Sequence, residues 1–106
     1  MKLGIVISAA EAETAWNALR LANFAKKQGD EVGVFFMGSG VDSVETKDKR
    51  FDVKAQAEDF RRAGGKLLAC GTCLKLRERE GSEVCPLSTM KDLYELVRDS
   101  DRVVSF

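Results

Sequence analysis

The sequence predicts an α/β fold: a mostly parallel five-stranded sheet of flavodoxin-like type with helices on both faces, in one domain over residues 1–106. Three observations predict it. Short apolar runs alternate along the chain with longer segments that are apolar at helical spacing, the order expected of β-α-β units. The opening run Leu3-Gly4-Ile5-Val6-Ile7 is continuous rather than alternating, as in a strand buried on both faces. Glycines also fall where helices should stop, at Gly29 and at Gly64-Gly65.

Taken in order, the first strand ends in the small-residue turn Ser8-Ala9-Ala10, and Glu11 and Glu13 place negative charge at the start of a helix. That helix runs to about Lys27. Its apolar residues, Trp16, Leu19, Leu21, Phe24 and several alanines, spread around it rather than forming one stripe. A helix apolar on two sides is buried on two sides, and in a small domain the second side points to a partner subunit. Trp16 itself suits core or interface.

Glu31 to Met37 reads as the second strand. Gly38-Ser39-Gly40 follows, opening a long polar segment to Arg50 of a length usually functional or mobile. The glycines resemble a phosphate-cradling loop, but the further glycine and the lysine of such fingerprints are missing. Asp52 to Ala63 reads as the second long helix, with Val53, Ala57 and Phe60 at helical spacing. Leu67 to Ala69 is a short buried strand, and a helical segment follows. Ser82 to Leu87 is a short strand or an extended link, since Pro86 does not suit a central strand. Ser88 or Thr89 caps a last helix whose inner face is Met90, Leu93, Tyr94 and Val97, and Arg102 to Phe106 is the final strand.

The composition narrows the function. The chain has 17 basic and 17 acidic residues, 44% hydrophobic content and no sustained basic patch, so neither nucleic acid nor a membrane surface is expected as a partner. No run has the length of a membrane-spanning helix, and a cytoplasmic protein is expected. Three cysteines with two closely spaced do not form a secreted disulfide framework. The absence of histidine removes Cys-His pairs, Ser-His-Asp triads and histidine-containing metal sites together.

What remains is Cys70-Gly71-Thr72-Cys73, placed where a strand gives way to a helix. A helix start favours an anion, and a thiolate is the anion a cysteine forms, so Cys70 is expected to have a lowered pKa, helped by Lys75 and Arg77 and opposed by Glu78 and Glu80. Three readings stand side by side. The cysteines are reactive thiols; or they are small apolar packing residues; or Cys70, Cys73 and Cys85 bind zinc or iron with a fourth ligand from elsewhere. Cys85 beside Pro86 otherwise reads as structural. The expected chemical site is therefore Cys70 and Cys73, with no cofactor and no resident metal.

The chain resembles the DsrE/DsrF-like family, small sulfur-relay proteins related to TusD and YchN. The resemblance rests on the opening strand, Phe35-Phe36-Met37-Gly38-Ser39-Gly40-Val41, Gly64-Gly65 leading into Leu68-Ala69-Cys70-Gly71-Thr72-Cys73, and the ending Ser100-Asp101-Arg102-Val103-Val104-Ser105-Phe106. It implies a five-stranded parallel α/β fold, a homotrimer or a trimer-based hexamer, and donor and acceptor proteins as partners. It also implies that Cys70 carries sulfane sulfur as a persulfide. On that reading Cys73, three residues on, is expected as a second thiol that resolves an over-long or oxidised intermediate by closing a disulfide with Cys70. A dithiol redox protein and a non-enzymatic oligomeric binding module are the alternatives.

Overall fold

The computed structural model describes residues 1–77 and 87–106. The expected sheet is present. Its strands are β1 (Lys2–Ile7), β2 (Glu31–Phe36), β3 (Lys66–Cys70), β4 (Leu87–Ser88) and β5 (Arg102–Ser105), and every pairing is parallel. The helices are α1 (Ala12–Lys27), α2 (Val53–Arg62), α3 (Gly71–Leu76) and α4 (Met90–Asp99). The strand run expected over Ser82 to Leu87 appears as β4 at Leu87–Ser88 only; its remainder, with Cys85, Glu78 and Glu80, lies outside the described residues.

The strand order is β4-β3-β2-β1-β5. The chain steps outward from β1 through β2 and β3 to β4, then returns through α4 to the far side of β1. The order reverses between β1 and β5, so β2 lies between β1 and β3. In a sheet whose first and third strands were neighbours, Ser8 to Ala10 and Cys70 would share a crevice; in this order they do not. Ser8 instead donates its backbone N–H to the carbonyl of Phe106, 2.8 Å away.

Local chemistry explains most of the elements. α1 begins after Glu11 with Glu13 in its first turn and ends with Lys26 and Lys27 in its last, each charge opposing the end of the helix dipole it faces. α2 is capped by Asp52, whose carboxylate accepts the N–H of Ala55 at 3.0 Å. Thr89 caps α4 in a reciprocal box with Asp92. α1 and α2 pack together on one sheet face, over Ile5, Ile7, Val34 and Phe36, all fully buried. Trp16 packs against Phe51, with ring centroids 5.2 Å apart, and Arg20 lies over its ring.

α4 covers the other face thinly. Gly4 and Gly33 sit side by side beneath it, and a Cβ on either would meet Leu96 or Ser100. The side chains packed inward are Leu93 and Leu96. This corrects the expected inner face: Met90 and Tyr94 are 64% and 62% exposed, and Val97 is also exposed. The cause is the pair of glycines, which lets the helix settle on the Leu93/Leu96 side and turns the adjacent stripe outward. On α1, Leu21 and Phe24 are exposed as well, leaving uncovered the second apolar side read from the sequence.

Candidate functional site

The site forms where β3 ends. Leu67, Leu68 and Ala69 are buried in the sheet, and they carry Cys70 to its carboxyl edge, the edge at which parallel α/β sheets present functional groups. Cys70 is the N-cap of α3: its sulfur accepts the backbone N–H of Cys73 at 3.4 Å. This single turn brings the two thiols close enough for each to act on the other's titration. Both cysteines are free.

A second segment closes on them. Residues expected to form an open loop after β2 instead make a 3-10 helix, Gly38–Glu45, with Val41 and Ser43 buried. It wraps because Gly40 lies directly against β1: a Cβ there would come within 2.1 Å of the Ile7 carbonyl oxygen. Gly38 adopts a left-handed backbone, with φ of 55°, which glycine tolerates without strain. In that conformation its N–H donates to the Cys73 sulfur at 3.2 Å. The first of the two glycines that resemble a phosphate loop therefore faces a thiol.

Arg77 completes the surround. Its Nε donates to Asp42 Oδ2 at 3.1 Å and its Nη1 to the carbonyl of Cys73, also at 3.1 Å. Asp42 belongs to the 3-10 helix, so this ion pair ties the end of α3 to the segment that carries Gly38.

The electrostatics divide the thiols. Burial pushes the Cys70 thiol up, and its bond to Cys73 adds to the rise. Cys73 is held below the ordinary thiol range, first by that same bond from Cys70, then by the Gly38 N–H and the Arg77 charge. The backbone N–H groups of Cys73 and Thr72 at the junction do pull Cys70 down, but burial outweighs them, so the expected net lowering of Cys70 is not found. The reason is solvation: Cys70 is only 7% exposed, whereas Cys73 is half-buried and has donors aimed at it. Arg77 acts on Cys73, not Cys70. Sequence reasoning missed Gly38 and Asp42, because their roles depend on a fold-back that local patterns do not encode.

Among the described residues no three Cys, Asp or Glu side chains gather as a metal ion would require. None of the helices among those residues is long and apolar enough to cross a membrane.

The fold and the cysteine junction define a class of small parallel α/β proteins, and the comparisons identify it. The model of the DsrE/DsrF-like family matches residues 1–106. The chain is 34% identical to an uncharacterized protein of Methanocaldococcus jannaschii, with all of both chains covered. It is also 34% identical to an uncharacterized protein of Methanopyrus kandleri, over 89% of this chain and 83% of that one. The chain belongs to the DsrE/DsrF-like family.

Proposed function

We propose that the protein is a sulfur-relay carrier that takes sulfane sulfur from a donor persulfide, holds it as a persulfide on Cys70 within the Cys70–Cys73 pair, and passes it to an acceptor cysteine on a partner protein. The observation that carries this reading is the pair itself: a shielded Cys70 whose sulfur accepts the Cys73 N–H, and a half-buried, thiolate-prone Cys73, at the carboxyl edge of the sheet in a chain of this family. A buried persulfide is protected from stray thiols, while a half-buried neighbour remains in reach of a partner. The chemistry is thiol exchange: a thiolate attacks the outer sulfur of a persulfide, the S–S bond of the donor breaks, and the donor leaves as a thiolate.

The apolar surface supports an oligomer. Met90, Tyr94 and Val97 on α4, and Leu21 and Phe24 on α1, are apolar side chains left in water by the single chain. Burying them between copies accounts for their chemistry and supports an oligomer; a homotrimer or a trimer-based hexamer is the form that membership of this family implies. A cytoplasmic location suits thiols kept reduced.

The test is anaerobic intact mass after exposure to a sulfane-sulfur donor. A reductant-sensitive gain of one sulfur atom is expected; absence of any gain would overturn the carrier reading. The closeness of two free thiols on one helical turn favours a second reading, a dithiol that cycles to a Cys70–Cys73 disulfide. Loss of two hydrogens on oxidation, with no sulfur gain, is its signature.

A further inference from the structure

We infer that sulfur enters at Cys73 rather than Cys70, with the Gly38 N–H and an Asp42-braced Arg77 holding the attacking sulfur, and that Cys70 receives the sulfur second. The inference rests on the carrier reading and assigns the order of events within it.

Three geometric observations carry it. The Cys73 sulfur has a backbone donor from another segment of the chain aimed at it, Gly38 N–H at 3.2 Å. A fixed N–H directed at sulfur stabilises its anion in the manner of an oxyanion hole, with no reorganisation when the charge moves. Arg77 is clamped at both ends of its fork, to Asp42 Oδ2 and to the Cys73 carbonyl, so its charge stays beside the thiol instead of sweeping through solvent. Cys70, by contrast, is buried, and the backbone N–H groups that act on its sulfur, those of Cys73 and Thr72, come from its own helical turn. A bulky donor persulfide meets Cys73 first.

The steps balance. The Cys73 thiolate attacks the outer sulfur of R–S–SH; the new Cys73–S bond forms as the donor S–S bond breaks, and R–S⁻ departs with the electron pair. Cys70 then attacks the outer sulfur of Cys73–S–SH, its proton passing to the released Cys73 sulfur one helical turn away. The products are Cys70–S–SH and a Cys73 thiol. No external oxidant or reductant takes part. Gly38 and Arg77 are positioning residues in this scheme. The groups that act on the Cys73 sulfur are Cys70 from β3, Gly38 from the 3-10 helix and Arg77 beyond α3, with Asp42 behind Arg77.

The test uses the full chain and glutathione persulfide as donor, without oxygen. Loading is followed by intact mass in wild type, Cys70→Ser and Cys73→Ser. Cys73→Ser should load about tenfold more slowly or worse, because the thiol that remains is the buried one with the raised pKa. Cys70→Ser should still gain one sulfur and keep it on Cys73, more slowly than wild type because Cys70 is the first cause of the lowered Cys73 pKa; a Cys70→Ser variant that gains none overturns the inference. A brief iodoacetamide pulse on the wild type guards against misfolded variants: fragmentation of the tryptic peptide Leu67 to Lys75 should place the first label on Cys73. Arg77→Gln should raise the pH at which Cys73 becomes half-labelled, and Arg77→Lys should restore part of the shift. Wild-type loading with an unimpaired Cys73→Ser, or first labelling at Cys70, overturns the inference alone. No loading of the wild type overturns the carrier reading and the inference together.

Discussion

The backbone N–H of Gly38 and the sulfur of Cys73 lie 3.2 Å apart although the two residues are 35 positions apart in the chain. This hydrogen bond joins the segment after β2 to the segment after β3, and neither alone makes the site. Its dependence on Gly40 leads to the first prediction. Gly40→Ala would drive a methyl group into the Ile7 carbonyl, a rigid neighbour, and force the 3-10 helix outward. The variant should lose about 1–3 kcal/mol of stability in chemical denaturation. It should also slow alkylation of Cys73 in the folded protein. A stable variant with unchanged Cys73 reactivity would separate the segment from the site.

Titration should separate the two thiols. Only the thiolate reacts with iodoacetamide, so a lowered pKa moves reactivity to lower pH and a raised one to higher pH. Cys73 is lowered and Cys70 raised. As pH rises from weakly acidic values, Cys73 should label first and Cys70 only in more alkaline solution. Mass mapping across a pH series reads the order directly, and a common midpoint for both would contradict it.

The exposed stripe of α4 should govern assembly. Tyr94→Asp together with Val97→Asp places charge on side chains exposed in the single chain, so its fold should survive while a trimer or hexamer falls apart. Sedimentation velocity of wild type and variant checks this. Equal sedimentation of both as oligomers would move the interface to another surface.

Thr89 should matter for stability out of proportion to its exposure. Its hydroxyl accepts the N–H of Asp92, and Asp92 Oδ2 accepts the Thr89 N–H at 2.7 Å. Thr89→Ala should cost about 1 kcal/mol. α4 has no buried residue to compensate, so hydrogen exchange should accelerate mainly in that helix.

The strands were legible because burial on both faces leaves continuous apolar runs, as in Leu3 to Ile7 and Val34 to Phe36. The cysteine junction was legible for a similar local reason: Gly64-Gly65, a short apolar run and a CxxC follow one another directly. The opposite titration shifts of the two thiols were not. They depend on which sulfur water reaches and on a donor brought from Gly38, and both are products of tertiary packing. The helical face of α4 was misread for a related reason. Periodicity finds an apolar stripe, but the glycines at positions 4 and 33 decide which part of it meets the sheet.

The central claim is that the Cys70–Cys73 pair carries sulfane sulfur. The most direct measurement is anaerobic intact mass of wild type and the Cys70→Ser/Cys73→Ser double variant after incubation with glutathione persulfide, before and after reductant. The account predicts one added sulfur atom on the wild type, removed by reductant, and none on the double variant. An equal gain on both would place the sulfur elsewhere and contradict the account.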